Sequence, residues 1–148
     1  MSNDVAIVGS NPFGVMTDAS AQLFSTISTA TDEGREQIFA ALAAAEPLVD
    51  HLDEVIELRH VVAQMVELAD AATGEMGEHV RTILVTEDGA CYSAVSSQIT
   101  RTLGLLFGLY GRPETWDAPV PVVVRRQRSK SGFFFFNLLP ARFASQVK

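Results

Sequence analysis

The sequence predicts a single α+β domain dominated by β-strands, with a sheet of about five to six strands and two inserted helices. Two observations predict the strands: an Asp-Gly turn at 88–89 lies between β-forming runs, and a second hairpin with a basic turn at 128–132 closes the chain. A third predicts the helices, because Thr31 and Ser96 each precede apolar residues at helical spacing. The chain has 148 residues, enough for one domain to bury a core without disulfides or metal.

The sequence divides into an arm, a domain and a tail. Residues 1–21 mix Gly and Pro with small polar residues and show no period, so we expect an irregular N-terminal arm. Residues 22–140 carry the predicted helices and strands and form the domain. Pro140 should end the sheet, which leaves 141–148 as a short basic tail.

The first predicted elements are a strand and a capped helix. Residues 23–28 alternate as a half-buried strand does. Thr31 can cap a helix whose first turn is acidic, and this helix should end near Ala45, before Pro47.

The centre of the chain predicts a three-stranded meander. Residues 55–68 form an apolar run that fits a helix or a long bent strand. The turn sequence at 70–75 and the β-rich run at 80–85 favour a long hairpin. The Asp-Gly turn then leads into a third strand at 90–95.

The remaining elements are a second helix and the closing hairpin. The helix capped by Ser96 should run to Tyr110 and stop at Gly111. A linker follows and contains the single tryptophan. The hairpin strands are expected at 120–127 and 133–139.

Charge is distributed unevenly along the chain. The whole sequence carries −7 at pH 7, which by itself disfavours a polyanionic partner. Residues 118–148 contain no Asp or Glu and carry +6, so the other residues carry −13. Because phosphate binding depends on the local field, nucleic acid stays among the expected partners. The six cations are Arg125, Arg126, Arg128, Lys130, Arg142 and Lys148.

The closing hairpin combines these cations with aromatic side chains. Cations neutralise phosphates, and exposed rings stack on bases with about 1–3 kcal/mol per base whatever the sequence. Since side chains alternate along a strand, two of the four phenylalanines at 133–136 should point outward. The alternative is a strand covered on both faces beside a solvated turn, and composition does not separate the two. The predicted phosphate contacts are Arg125, Arg126, Arg128 and Lys130, and the predicted stacking rings of the hairpin are Phe134 and Phe136.

Two further aromatic residues are candidates for base stacking. Tyr92 shares a strand face with Ala94, and this face is either a groove or part of the core. Trp116 in the linker is either a stacking platform or a core residue beside a helix.

Patterns of catalysis and metal binding are missing from the sequence. The three histidines have no metal-ligand spacing, and there is no Gly-rich phosphate loop. Glu87 and Asp88 are explained by the hairpin turn, and the single Cys91 has no partner for a disulfide. We therefore expect a binding protein without catalysis, metal or other cofactor. The first residues also lack a signal-peptide pattern, so we expect a cytoplasmic protein with no membrane partner.

Four motifs follow one another in a recognisable order. They are the turn Thr73-Gly74-Glu75, the run Arg81-Thr-Ile-Leu-Val-Thr-Glu-Asp-Gly-Ala-Cys-Tyr-Ser-Ala-Val-Ser96, the linker Gly111-Arg112-Pro113-Glu114-Thr115-Trp116 and the basic turn Ser129-Lys130-Ser131-Gly132. In this order they resemble the single-stranded DNA-binding proteins of small protein-primed tailed phages and of related phages. The resemblance covers about residues 55–139 and, more loosely, the predicted strand at Ser25-Thr-Ile-Ser-Thr29 and the first helix.

The resemblance implies an OB-like or OB-related barrel with inserted helices. It further implies sequence-tolerant binding and protection of single-stranded DNA during phage replication, in the cytoplasm of the host cell. Phage replication proteins, and other copies of the chain along the strand, stay open as additional partners. The rival hypothesis is a phage protein-interaction module that inhibits or recruits a host enzyme through its acidic surface.

Overall fold

The computed structural model of the chain describes residues 23–69 and 72–146. The predicted N-terminal arm at 1–21 lies outside these ranges, as does Lys148. The predicted tail begins with a 3₁₀ turn at Ala141–Gln146. The helices are α1 (Asp32–Ala44) and α2 (Ser97–Tyr110). The strands are β1 (Leu23–Ser25), β2 (Glu46–Pro47), β3 (Ile56–Ala69), β4 (Met76–Thr86), β5 (Cys91–Ala94), β6 (Val120–Arg128) and β7 (Phe134–Pro140).

The strands form one curled, half-barrel sheet with the order β2-β5-β4-β3-β6-β7, and β1 pairs with β3. The contact between β2 and β5 is parallel, and the other strand contacts are antiparallel. The predicted β3–β4–β5 meander and closing β6–β7 hairpin are confirmed, and so is the β-dominated, OB-like fold class. The sequence did not indicate β2, because the pair Glu46-Pro47 carries no β-forming residue.

Both helices begin where the caps predict. The Thr31 hydroxyl accepts a hydrogen bond from the Gly34 N–H at 2.9 Å, and the Ser96 hydroxyl accepts one from the Ile99 N–H at 3.2 Å. At the other end of α2, Gly111 adopts φ +82° and donates its N–H to the Phe107 carbonyl at 2.8 Å. A residue with a side chain would be strained in this conformation, so Gly111 fixes the end of α2.

Two hydrophobic clusters lie on opposite faces of the sheet. The first, on the α2 face, includes Ile99 and Leu103 of α2, and the second, on the α1 face, includes Ile38 of α1. β4 is buried on both faces, because Leu84 enters the first cluster and Ile83 enters the second. The first cluster consists of Leu48, Ile56, Leu58, Val61, Leu84, Ile99, Leu103, Trp116, Val122, Val124 and Leu138.

The β3–β4 hairpin extends beyond the rest of the sheet. Within the described part of the chain, residues 65–69 and 76–80 pair only with each other, and we call this segment the β3–β4 arm. Glu67 and Glu78 are exposed on it and lie directly opposite each other. Like charges in opposite positions repel each other, and these two glutamates give the arm a net negative charge.

The β3–β4 arm and the closing hairpin extend toward opposite ends of the sheet. β6 pairs antiparallel with β3 at Ile56 and Val122. β6 therefore runs toward Arg128 in the direction opposite to that in which β3 runs toward Ala69. Because the two tips are separated, the carboxylates of the arm leave the field around the basic turn largely unneutralised.

His51 ties the 3₁₀ turn after β2 to the sheet. Its Nε2 lies 2.7 Å from Glu46 Oε1, and its Nδ1 lies 3.0 Å from Glu54 Oε1. Its ring centroid lies 4.4 Å from that of Tyr92. Both ring nitrogens donate only when the imidazole is protonated. Hydrogen bonds to Glu54 and then to Glu46 raise the pKa of His51 above its usual 6.5.

We expect the stability of the protein to fall as pH rises past the usual pKa of His51. The pKa of His51 is higher in the folded protein than in the unfolded chain. The protonated ring therefore contributes its full stabilisation of the fold below pH 6.5, and this contribution is lost as pH rises through the folded-state pKa. In urea unfolding, His51→Gln should therefore lose stability relative to wild type mainly near pH 5.5 and little near pH 8.5. Equal losses at both pH values would show that contact with Tyr92, and not protonation, holds the turn.

Candidate nucleic-acid interface

The closing hairpin has two chemically different faces. The strand register pairs Arg126 with Phe136 and Arg128 with Phe134, so these four side chains share one face, which we call the basic-aromatic face. It continues the face on which Val124 joins the first cluster. The opposite face of the hairpin carries Arg125, Gln127, Phe135 and Asn137.

On the basic-aromatic face, two arginines cover one phenylalanine ring. The Arg126 guanidinium carbon lies 4.3 Å from the Phe134 ring centroid, and that of Arg128 lies 5.4 Å away. These distances allow cation–π attraction, which holds the guanidinium groups over the ring. Phe134 nevertheless stays 56% exposed, and both arginines are exposed as well. The face therefore offers two cations and one aromatic ring to solvent at the same place.

The basic turn extends the same end of the hairpin. The Ser129 N–H donates to the Phe133 carbonyl at 2.7 Å, and the Gly132 N–H donates to the Ser129 carbonyl at 3.0 Å. Lys130 is exposed within this turn, and Phe133 beside it is 74% exposed. The sequence predicted a strand from residue 133 with Phe134 and Phe136 facing outward, whereas β7 begins at Phe134, so strand alternation does not govern Phe133.

Arg125 lies on the opposite face of the hairpin and already has protein partners. Its Nε lies 3.4 Å from Asp53 Oδ1, and its Nη2 donates a hydrogen bond to the Phe143 carbonyl. The side chain is 19% exposed. The structure thus separates Arg125 from Arg126 and Arg128, although the three are near neighbours in sequence.

Phe136 and Tyr92 are both half-buried against the first cluster. Phe136 continues the basic-aromatic face inward from Phe134, toward the core. Tyr92 shares its face with Ala94, as the alternation predicts, and its ring lies beside that of His51. Each ring presents one part to the core and another to the surface.

Trp116 is a core residue, only 8% exposed. Its indole N–H donates to the carbonyls of Tyr110 at 3.1 Å and Gly111 at 3.0 Å. The ring makes an edge contact with Phe107, with centroids 6.4 Å apart. Of the two readings that the sequence left open for Trp116, this geometry fits the core residue beside a helix.

A second contact between a cation and an aromatic ring lies at the end of α2, and no sequence pattern predicted it. The Arg112 guanidinium carbon lies 5.2 Å from the Phe24 ring centroid, and Phe24 lies 6.5 Å from Phe107. Arg112 also forms an ion pair with Glu114 at 3.0 Å. These residues come from β1, α2 and the following linker, so no local pattern in the sequence could have grouped them.

Within residues 23–69 and 72–146, no three His, Cys, Asp or Glu side chains are grouped as metal ligands would be. Of the helices described there, none is both long and apolar enough to span a bilayer.

The comparison with protein families agrees with this geometry. A family model described as phage single-stranded DNA-binding protein matches residues 17–139. The match includes both helices and the sheet up to the last residues of β7. No curated protein and no solved structure matches the chain. A match over most of the sequence, on a β-dominated fold with an exposed cationic and aromatic face, shows that the chain belongs to the family of phage single-stranded DNA-binding proteins.

Proposed function

We propose that the protein binds single-stranded DNA through the basic-aromatic face, in a sequence-tolerant manner and without catalysis. Bound protein would protect the strand from nucleases and remove its secondary structure during phage DNA replication. The observation that carries this proposal is the exposed Phe134 ring beneath the guanidinium groups of Arg126 and Arg128.

The cations of this face are suited to phosphate groups. Arg126 and Arg128 are exposed and lack an ion-pair partner among the described residues, so phosphates need not displace a carboxylate. Lys130 in the turn adds a third exposed cation. Each phosphate neutralised releases counterions from the strand, which gives affinity that does not depend on base sequence.

The aromatic ring and the guanidinium planes are suited to bases. Bases stack on aromatic rings and on guanidinium groups alike, because every base has a π-face. Phe134 and Arg126 already form such a layer, and a base can extend it. Contact with the face of a base carries no information about its identity, so this mode of binding tolerates any sequence.

The other predicted site residues have different roles in this proposal. Arg125 positions the hairpin through Asp53 and the Phe143 carbonyl, and phosphate would have to compete with both. Tyr92 is half-buried and is a secondary stacking candidate. Trp116 stabilises the fold, since its ring has little surface to offer a base.

The test is a fluorescence-anisotropy titration against a labelled oligo-dT of about 30 nucleotides, longer than the roughly 4–16 that one OB fold covers. We expect binding to this strand, with an affinity that falls as salt rises, and much weaker binding to the matching duplex. Equal affinity for strand and duplex, or no binding at low salt, would contradict the proposal.

The contribution of the ring is measured by Phe134→Leu in the same titration. Leucine keeps an apolar side chain but has no π-face, so the affinity for oligo-dT should fall about tenfold while the salt dependence stays unchanged. The matched control is Phe39→Leu, because Phe39 is 71% exposed and lies on α1, which packs on the opposite face of the sheet from the basic-aromatic face. Equal affinities of the two variants would remove Phe134 from the interface.

A further inference from the structure

A cavity of about 190 Å³ lies next to the basic-aromatic face. The ends of two sheet strands approach each other here: Ala94 of β5 lines one side, and Phe136 of β7 lines the other. Ile99 of α2 contributes from the α2 face. Val49 and Val95, which are exposed, place the cavity at the surface and not deep in the core. The cavity is thus an apolar notch between the two edges of the half-barrel.

The cavity is adjacent to a cation of the proposed interface. Phe136, which forms one wall, is the cross-strand partner of Arg126. Side chains in such pairs have Cβ atoms about 5 Å apart. A nucleotide has its phosphate and base separated by the sugar, so a phosphate at Arg126 leaves the base of the same nucleotide within reach of the Phe136 wall.

The size and lining of the cavity define the kind of group that fits. An engineered apolar cavity of about 150 Å³ in another protein binds benzene, so a volume of 190 Å³ accommodates one six-membered ring with its substituents. A two-ring purine needs more space. Val95 and Ser96, which follow the last ladder pair of β5, also line the cavity, but the Ser96 hydroxyl and carbonyl already cap α2, so the walls offer a base mainly apolar contact.

We propose that this cavity receives one pyrimidine base of the bound strand, whose phosphate is held at Arg126. A ring inserted into this notch removes its apolar walls from water and gains van der Waals contacts with them. Phe136 thereby contacts a base from the side of a pocket, whereas Phe134 stacks on one at the surface. The inference rests on the proposed function, because the base arrives with a strand bound at the basic-aromatic face.

Ala94→Ile fills the cavity and tests the inference. The variant is titrated against oligo-dT and against an oligonucleotide of equal length that lacks all bases. We expect the affinity for oligo-dT to fall about tenfold, with unchanged affinity for the abasic strand and unchanged salt dependence. Wild-type affinity of Ala94→Ile for both strands would overturn the pocket and leave the proposed function intact. If wild-type protein itself fails to bind oligo-dT at low salt, the proposed function fails together with the pocket.

A matched pair of variants keeps the inference testable if Ala94→Ile does not fold. Phe136→Leu removes the ring from the cavity wall, and Phe135→Leu makes the same change on the opposite face of the hairpin. Only Phe136→Leu should lose preference for oligo-dT over the abasic strand. A 5-iodouracil base placed in the oligonucleotide should also photo-crosslink to the peptide that contains Phe136. Equal behaviour of the two variants, or crosslinks confined to other peptides, would overturn the inference.

Discussion

Replacing Arg126 and Arg128 together by alanine should lower the affinity for oligo-dT by about 100-fold at low salt. Hydrogen bonds to charged groups contribute about 1.5–3 kcal/mol each, so the loss of two such contacts should lower the affinity by at least about 100-fold. Because each phosphate contact on a single strand contributes about 0.7 to the salt slope, the slope should become shallower by about 1.4. Anisotropy titrations at several salt concentrations measure both quantities.

The control for this variant changes the same amount of charge elsewhere. Arg35 on α1 and Arg101 on α2 are exposed, and their double replacement by alanine also removes two positive charges. If the hairpin is the interface, the control should keep an affinity within a few-fold of wild type. Similar losses in both double variants would mean that the strand responds to the total charge of the protein and not to this face.

Trp116→Ala should lower the free energy of unfolding by about 3–5 kcal/mol, which is the usual cost of removing a large buried aromatic side chain. The cavity would open in the first hydrophobic cluster, beside Phe107 and the end of α2. Native domains have only about 5–15 kcal/mol of stability, so a large part of it would be lost. Urea unfolding should be followed by circular dichroism, because Trp116 is the single tryptophan and its fluorescence is lost in the variant.

Trp116→Phe separates the structural role from base stacking. Phenylalanine keeps an aromatic ring but cannot donate to the Tyr110 and Gly111 carbonyls, so we expect a smaller loss of about 1 kcal/mol. The affinity of this variant for oligo-dT should stay within about twofold of wild type, because the ring is buried. A stable Trp116→Ala protein with strongly reduced DNA affinity would instead identify Trp116 as a stacking platform.

Most of the fold could be predicted from local signals. Thr31 and Ser96 marked the helix starts because a short side chain that accepts a hydrogen bond satisfies free N–H groups there. The Asp-Gly pair marked the β4–β5 turn because Gly89 adopts φ +95°. These signals are independent of tertiary contacts, and this is why they are visible in the sequence.

The run at 55–68 shows where local reasoning was insufficient. Leu58 and Val61 enter the same cluster although they are an odd number of positions, three, apart, because the pairing of β3 with β4 is irregular between Leu58 and His60. A spacing of three on one face also fits a helix, which explains the ambiguity of this run. The neighbouring turn and the following β-forming run resolved it correctly.

Local sequence patterns were sufficient to predict the β-dominated fold, the order of the elements and the concentration of positive charge in the closing hairpin. Tertiary structure decided which of these side chains are available to a ligand. In the folded protein Arg125 pairs with Asp53 and Trp116 lies in the core. Arg126 and Arg128, by contrast, lie over an exposed Phe134. Strand alternation specifies that neighbouring side chains point in opposite directions, but which direction is buried depends on α2 and on distant strands that pack against the hairpin.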